Sequence, residues 1–397
     1  MKQALKSKIS SQFHKFPHHR ALPRSQVQFS LGFAKTGLMR LTSLENLQQI
    51  LFYSENRFFV NVFRCHCRRV FSMPKFFLPL ALCLFCLLLI SLSQPSLAHN
   101  SAADPWAPTP TDLKKALPNT RSQPQRLRPL TQLPPLPEDQ RGIIRKVSPA
   151  SEQPVLALTF DLCELATSTS GCDMTLLGFL KAQNIPATLF MSGKWMRTHK
   201  ARVKLFLQHP LFEIGNHNWS HGNCALLPLK DLEDEILWTQ AQYELIREEL
   251  AGEITDPTKL AKIAPVPRLF RLPYGRSRPE ALKTIAALGL TTVQWNIVGE
   301  LGAVTNREQA RRYAQSLASM TIPGSIVLFH ANLVPVGTAL LVEEYTRLMQ
   351  AKGYRFLTVS ELLQLGTPQR VQDGYFLSPG DNLHLDRRFG RYGTGLR

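Results

Sequence analysis

From residue 155 to about residue 363, short apolar runs alternate with longer stretches in which apolar positions recur three and four apart. The runs at 155–160, 187–191, 212–215, 269–271, 291–296 and 325–329 read as buried strands, and 176–183, 229–250, 280–288, 307–320 and 338–351 read as helices between them. Alternation of this kind over this length predicts an α/β fold with parallel strands, closed as a barrel, and chemistry at the C-terminal ends of the strands.

The flanks of that region are different. Residues 99–150 contain ten prolines and little apolar periodicity, the pattern of an extended, partly disordered linker. The stretch 366–397 is rich in Gly, Arg and Asp and reads as a loose tail. Residues 76–92 carry no charge; Met73-Pro74-Lys75 precedes them, and Ser96-Leu97-Ala98 offers the small-x-small pattern of a signal-peptidase site. Residues 73–98 are therefore read as a signal peptide with its start at Met73, and an uncleaved membrane anchor is the second choice. Residues 1–72 are read as an upstream extension or a long leader. One folded domain, 151–365, remains.

The formal net charge of +18 would suggest a nucleic-acid partner if it were spread over the folded part. Residues 1–72 hold 12 Lys and Arg against Glu45 and Glu55, and no basic stripe with interleaved aromatics follows, so nucleic acid is set aside. Of seven cysteines, Cys163, Cys172 and Cys224 lie in the folded region. In an oxidising compartment Cys163 and Cys172 would pair, leaving Cys224 odd. The expected location is periplasmic or secreted, with membrane contact only through an uncleaved 73–98 segment. The sequence assigns no oligomeric state.

Four of the apolar runs lead into chemically useful groups. Asp161 follows the first, His217 follows 212–215, Arg271-Leu272-Pro273-Tyr274-Gly275 closes the fourth and His330 follows the last. In a parallel barrel these converge on one rim. His217-Asn218-Trp219-Ser220-His221 adds two imidazoles four apart, which a helix or tight turn can aim at one divalent ion.

In this ordered set the chain resembles the polysaccharide deacetylase family, also called the nodulation-deacetylase homology domain or carbohydrate esterase family four. Thr159-Phe160-Asp161, His217 to His221, Arg271 to Gly275 and Leu328-Phe329-His330 resemble the family's first, second, third and fifth motifs. The resemblance covers about residues 150–365. It implies a distorted (β/α) barrel that removes N-acetyl groups from an N-acetylated glycan with a divalent metal, zinc first and cobalt or nickel as alternatives. It further implies that Asp161 is the base, that Arg271 orients it, that the backbone N–H of Tyr274 holds the oxyanion and that His330 is the acid. His217 and His221 would bind the ion. Trp219 and Trp295 are candidate sugar-stacking residues, with core packing as the alternative.

The chain departs from the family at two places. The second acid of the first motif is Leu162, which cannot ligate a metal. Glu164 is the first candidate to replace it, followed by Asp161 itself and Cys163; no protein replacement is the remaining alternative. The fourth motif lacks its usual acids, so the partner of His330 is missing or has shifted to Glu300. Two rival functions follow: a degenerate member that binds glycan without turnover, and an amidohydrolase acting on a non-carbohydrate acetamide.

Overall fold

The computed structural model describes residues 104–115, 122–164 and 169–393. The predicted leader and the apolar segment at 73–98 lie outside the described residues. Among those described, no helix is long and apolar enough to cross a membrane. In chain order the strands are β1 (Leu113–Lys115), β2 (Ile143–Pro149), β3 (Val155–Leu162), β4 (Thr169–Gly171), β5 (Ala187–Met191), β6 (Phe212–Asn216), β7 (Leu269–Phe270), β8 (Thr291–Val293), β9 (Ile297–Val298), β10 (Ser325–His330), β11 (Arg355–Leu357) and β12 (Gly366–Val371). The helices are α1 (Met174–Ala182), α2 (Gly193–Thr198), α3 (Lys200–Leu207), α4 (Leu229–Ala251), α5 (Pro257–Ala261), α6 (Pro279–Ala287), α7 (Arg307–Met320), α8 (Thr338–Ala351), α9 (Val359–Leu363) and α10 (His384–Phe389).

Seven strands close a barrel in the order β3, β5, β6, β7, β8, β2, β10 and back to β3. Every neighbouring pair is parallel except β2 against β10. Six of these strands are the ones the apolar runs predict. The seventh, β2, comes from the stretch read as a linker: Ile143, Ile144 and Val147 are buried and complete the ring. Of the run at 291–296 only Thr291–Val293 is strand, β8; the chain leaves the sheet after Val293 and rejoins it just past the run as β9, beside β10.

The strand period of two divides β3 between two apolar layers. Leu156, Leu158, Phe160 and Leu162 pack outward against α1, α2, α7 and α8 through Leu177, Trp195, Ala314 and Tyr345. Val155 and Ala157 face the other way, among Phe190, Val293, Trp295, Ile326 and Leu328. Gly215 on β6 lets the Phe190 ring fill this inner space, since a Cβ there would collide with it.

The described residues of both flanks pack on the barrel. Trp106 stacks on Phe212 at 5.6 Å between ring centroids, and Arg202 pairs with Asp112 at 2.7 Å. The Glu244 carboxylate accepts the backbone N–H groups of Leu130 and Thr131 at 2.6 and 2.7 Å. A proline-rich strip can lie against a barrel when the few N–H groups it retains find such partners. At the other end, β12 pairs antiparallel with β2, and the chain continues over the barrel rim to α10. Residues 366–393 of the expected loose tail are therefore part of the fold.

Candidate active site

The alternation that buries Leu162 outward turns Asp161 inward, and strand register carries the same phase around the barrel. Asp161 lies beside Phe190 and, on its other side, beside His330. Phe190 lies beside Gly215, two residues before His217, and Asn216 beside Phe270, one before Arg271. Asp161, His217, Arg271 and His330 thus reach one rim from four strands, as the sequence predicts.

Arg271 is fully buried. Its Nη1 donates to Asp161 Oδ1 at 2.9 Å and to Thr159 Oγ1 at 2.8 Å. Its Nη2 donates to Gln294 O and its Nε to Val293 O. The guanidinium lies over the Phe190 ring at 4.0 Å and the Trp295 ring at 5.4 Å. Burial pulls the Arg271 pKa down and the Asp161 carboxylate pulls it back up. The pair is a desolvated charge couple with its hydrogen bonds made, and removing one member would leave the other stranded.

His330 is the more open end of the site, its side chain 31% exposed. Its Nδ1 donates to Glu300 Oε2 at 3.0 Å, and its backbone N–H donates to Glu300 Oε1 at 2.8 Å. Thr338 Oγ1 donates to the same carboxylate at 2.8 Å. Burial alone would lower the imidazole pKa; the Glu300 charge and hydrogen bond, with Asp161 beyond, outweigh it and raise the pKa above the ordinary value. Glu300 is thus the acid that partners His330.

The two metal-candidate histidines sit in a loop after β6. His221 is in the left-handed region with φ of 61°, so the pair is presented by a turn and not a helix. The loop is pinned from beneath: Asn216 Nδ2 donates to Ile236 O, and Glu235 accepts both the N–H and the hydroxyl of Ser220 at 2.7 Å. The two imidazole rings lie 4.7 Å apart between centroids. His217 Nδ1 donates to Arg271 O at 2.9 Å, leaving Nε2 with a lone pair 3.5 Å from Asp161 Oδ2. Burial lowers the His217 pKa despite Asp161 and lowers that of His221 well below the ordinary value, helped by His217 and His330.

Two acceptors facing each other across 3.5 Å in a buried site call for a proton or a cation between them. His217 Nε2 and His221 Nδ1 are both buried without a hydrogen-bond partner. Their chemistry and lack of partners fit a divalent cation as two of its ligands. The third ligand expected from the sequence is not gathered with them: among the described residues no group of three or more His, Cys, Asp and Glu is placed to hold a metal. Glu164, two residues past β3, is buried with both carboxylate oxygens unpartnered and acts on Lys194, whose burial-lowered pKa it partly restores. Cys163 is buried too, its thiol meeting Asn332 Nδ2 at 3.5 Å and raised in pKa by burial.

Tyr274 lies between two rings. His221 meets it edge-on at 4.4 Å and Phe389 stacks on it at 4.8 Å. Its φ of 60° is costly for a non-glycine residue, about 1–3 kcal/mol.

Three expectations are corrected. Trp219 is fully buried, with Nε1 donating to Ser122 O and the ring edge-on to Trp238. Trp295 is 2% exposed, with Nε1 donating to Phe376 O. A ring with no accessible face has none to offer a sugar, so both act as supports. The Cys163–Cys172 disulfide is also absent: all three described cysteines are free and buried, and Cys172 Sγ contacts Met174 Sδ at 3.6 Å. Burial pushes the Cys224 thiol up to about 12.

Sequence comparison adds that residues 148–293 match the family described as polysaccharide deacetylase. A peptidoglycan-N-acetylglucosamine deacetylase of Bacillus cereus is 28% identical over 228 residues, covering 54% of this chain and 90% of that protein. A second Bacillus cereus protein of the same name is 26% identical over 217 residues, covering 53% and 68%. Among solved structures, a CE4-family pseudoenzyme from Bacillus anthracis aligns at 21% identity over 56% of this chain and 69% of that one, with a TM-score of 0.43.

Proposed function

The chain is a divergent member of the polysaccharide deacetylase family, and from that premise we propose that it is a hydrolase that releases acetate from an N-acetylated glycan, with a divalent cation and outside the cytoplasm. The observation that carries this reading is the in-register placement of Asp161 and His330 on adjoining strands, each with its own charged partner. Amide hydrolysis needs a base to activate water and an acid to protonate the departing amine. Asp161, kept in place by Arg271, takes the water proton. His330, with Nδ1 committed to Glu300, presents Nε2 as the acid. The backbone N–H of Tyr274 supports the oxyanion. A cation on His217 and His221, when bound, supplies Lewis-acid polarisation of the carbonyl.

Export is proposed on the apolar run at 76–92 and the small-x-small pattern that follows it. A second reading, glycan binding without turnover, is favoured by the outward burial of Leu162 and by the lack of a three-donor group among the described residues. Acetate release from N-acetylglucosamine oligomers, assayed with zinc, cobalt or nickel added, separates them. The hydrolase reading expects release that requires a cation. Binding of oligomers with no release under any cation would establish the second reading, and turnover confined to non-sugar acetamides would change the substrate class.

A further inference from the structure

The family match ends at residue 293, and a segment well beyond it reaches the site. The segment 374–391 crosses the rim, and Asn382, fully buried, lies at its centre. Its Nδ2 donates to Tyr274 O and to Gly275 O, both at 3.0 Å. Tyr274 and Gly275 are consecutive left-handed residues, with φ of 60° and 63°, so the one side-chain amide holds the two carbonyls whose directions that backbone sets. Phe389, farther along the segment, stacks on the Tyr274 ring.

The same segment reaches the His221 loop. Asp386 accepts from Arg276 through both carboxylate oxygens, at 2.8 and 2.7 Å, and from Asn223 Nδ2 at 2.8 Å. Asn223 donates its backbone N–H to Arg391 O, also at 2.8 Å. The turn after β7 and the loop after β6 are thus tied to each other through a third piece of chain.

We propose that residues 374–391 form a positioning clasp for the reaction, with Asn382 as the positioning residue that fixes the Tyr274 backbone and Asp386 as the tie between the Tyr274 and His221 loops. The proposal rests on the hydrolase reading for its effect on turnover, while its geometric content stands independently of it. Turns with two left-handed residues open readily unless the surroundings determine them. A buried donor shared by both carbonyls supplies that determination, and small losses of alignment at a reacting centre are felt in turnover more than in binding.

The test uses the full chain and two variants. Asn382→Asp keeps the shape but puts an acceptor where two carbonyls need a donor. Val203→Ala, on α3 in the outer apolar layer, loosens packing away from the segment and from Tyr274. Hydrogen exchange read by mass spectrometry is expected to rise at least tenfold for the 272–277 amides in Asn382→Asp, with peptides of β3 and β5 unchanged. In acetate release, kcat is expected to fall at least tenfold with KM within twofold for Asn382→Asp, whereas Val203→Ala lowers Tm and keeps kcat. Unchanged exchange at 272–277 would overturn the proposal, as would kcat losses in the two variants that simply follow Tm. If the parent chain released no acetate but exchange rose as expected, the clasp would stand and the hydrolase reading would fall.

Discussion

Two sides of the barrel rim are built to different standards. On the side proposed to move protons, Asp161 has Arg271 and His330 has Glu300, all at ordinary hydrogen-bond distances. On the side where a cation is proposed, His217 Nε2, His221 Nδ1 and both Glu164 oxygens are buried without hydrogen-bond partners. Burying polar atoms unpaired costs about 1–3 kcal/mol each, so this side is under tension that a bound cation would relieve at the histidines. The difference teaches how the two sides are furnished: Leu162 is buried outward and gives the histidines no acid, while Glu300 gives one to His330.

That contrast can be broken most severely at Asp161. Asp161→Asn is expected to cut acetate release by about 10²–10⁴-fold and to lower stability by about 3–5 kcal/mol, because Arg271 is left as an uncompensated buried charge; kinetics and urea unfolding read the two effects. Leu162→Asp probes the other side. Strand phase sends that carboxylate into the outer apolar layer, so the variant is expected to lose several kcal/mol and to gain no zinc-dependent rise in Tm. A zinc-dependent rise would show that position 162 can reach the cation.

Glu300→Gln sharpens the comparison. With His330 as the acid of the proposed reaction, activity falls as pH rises through its pKa, and Glu300 holds that pKa up. Without the carboxylate charge the alkaline limb of the pH profile is expected to move to lower pH, with kcat about tenfold lower at pH 8. The smallest effect is expected at Trp219→Phe: KM for oligomers within about twofold and stability about 1 kcal/mol lower, the value of the lost bond to Ser122 O.

Much of this was legible because strand geometry is periodic. Once Asp161, His217, Arg271 and His330 are each placed just past an apolar run, alternation and parallel closure bring them together without further information. What escaped depends on pairing between distant segments. β2 was hidden among prolines, and its apolar triplet gains meaning only from β8 and β10. The burial of Trp219 depends on Ser122 and Trp238, and the fixing of Tyr274 on Asn382, none of which leaves a periodic trace. Glu300 stood between these cases: its acidity was visible and its reach to His330 was not.

The most direct test of a functional cation side is a calorimetric titration of zinc into the full chain and into His217→Ala and Glu164→Ala. The histidine pair predicts about one site per chain, lost in His217→Ala and kept in Glu164→Ala. No binding to the parent chain by zinc, cobalt or nickel would contradict a cation-dependent hydrolase and leave a glycan-binding barrel.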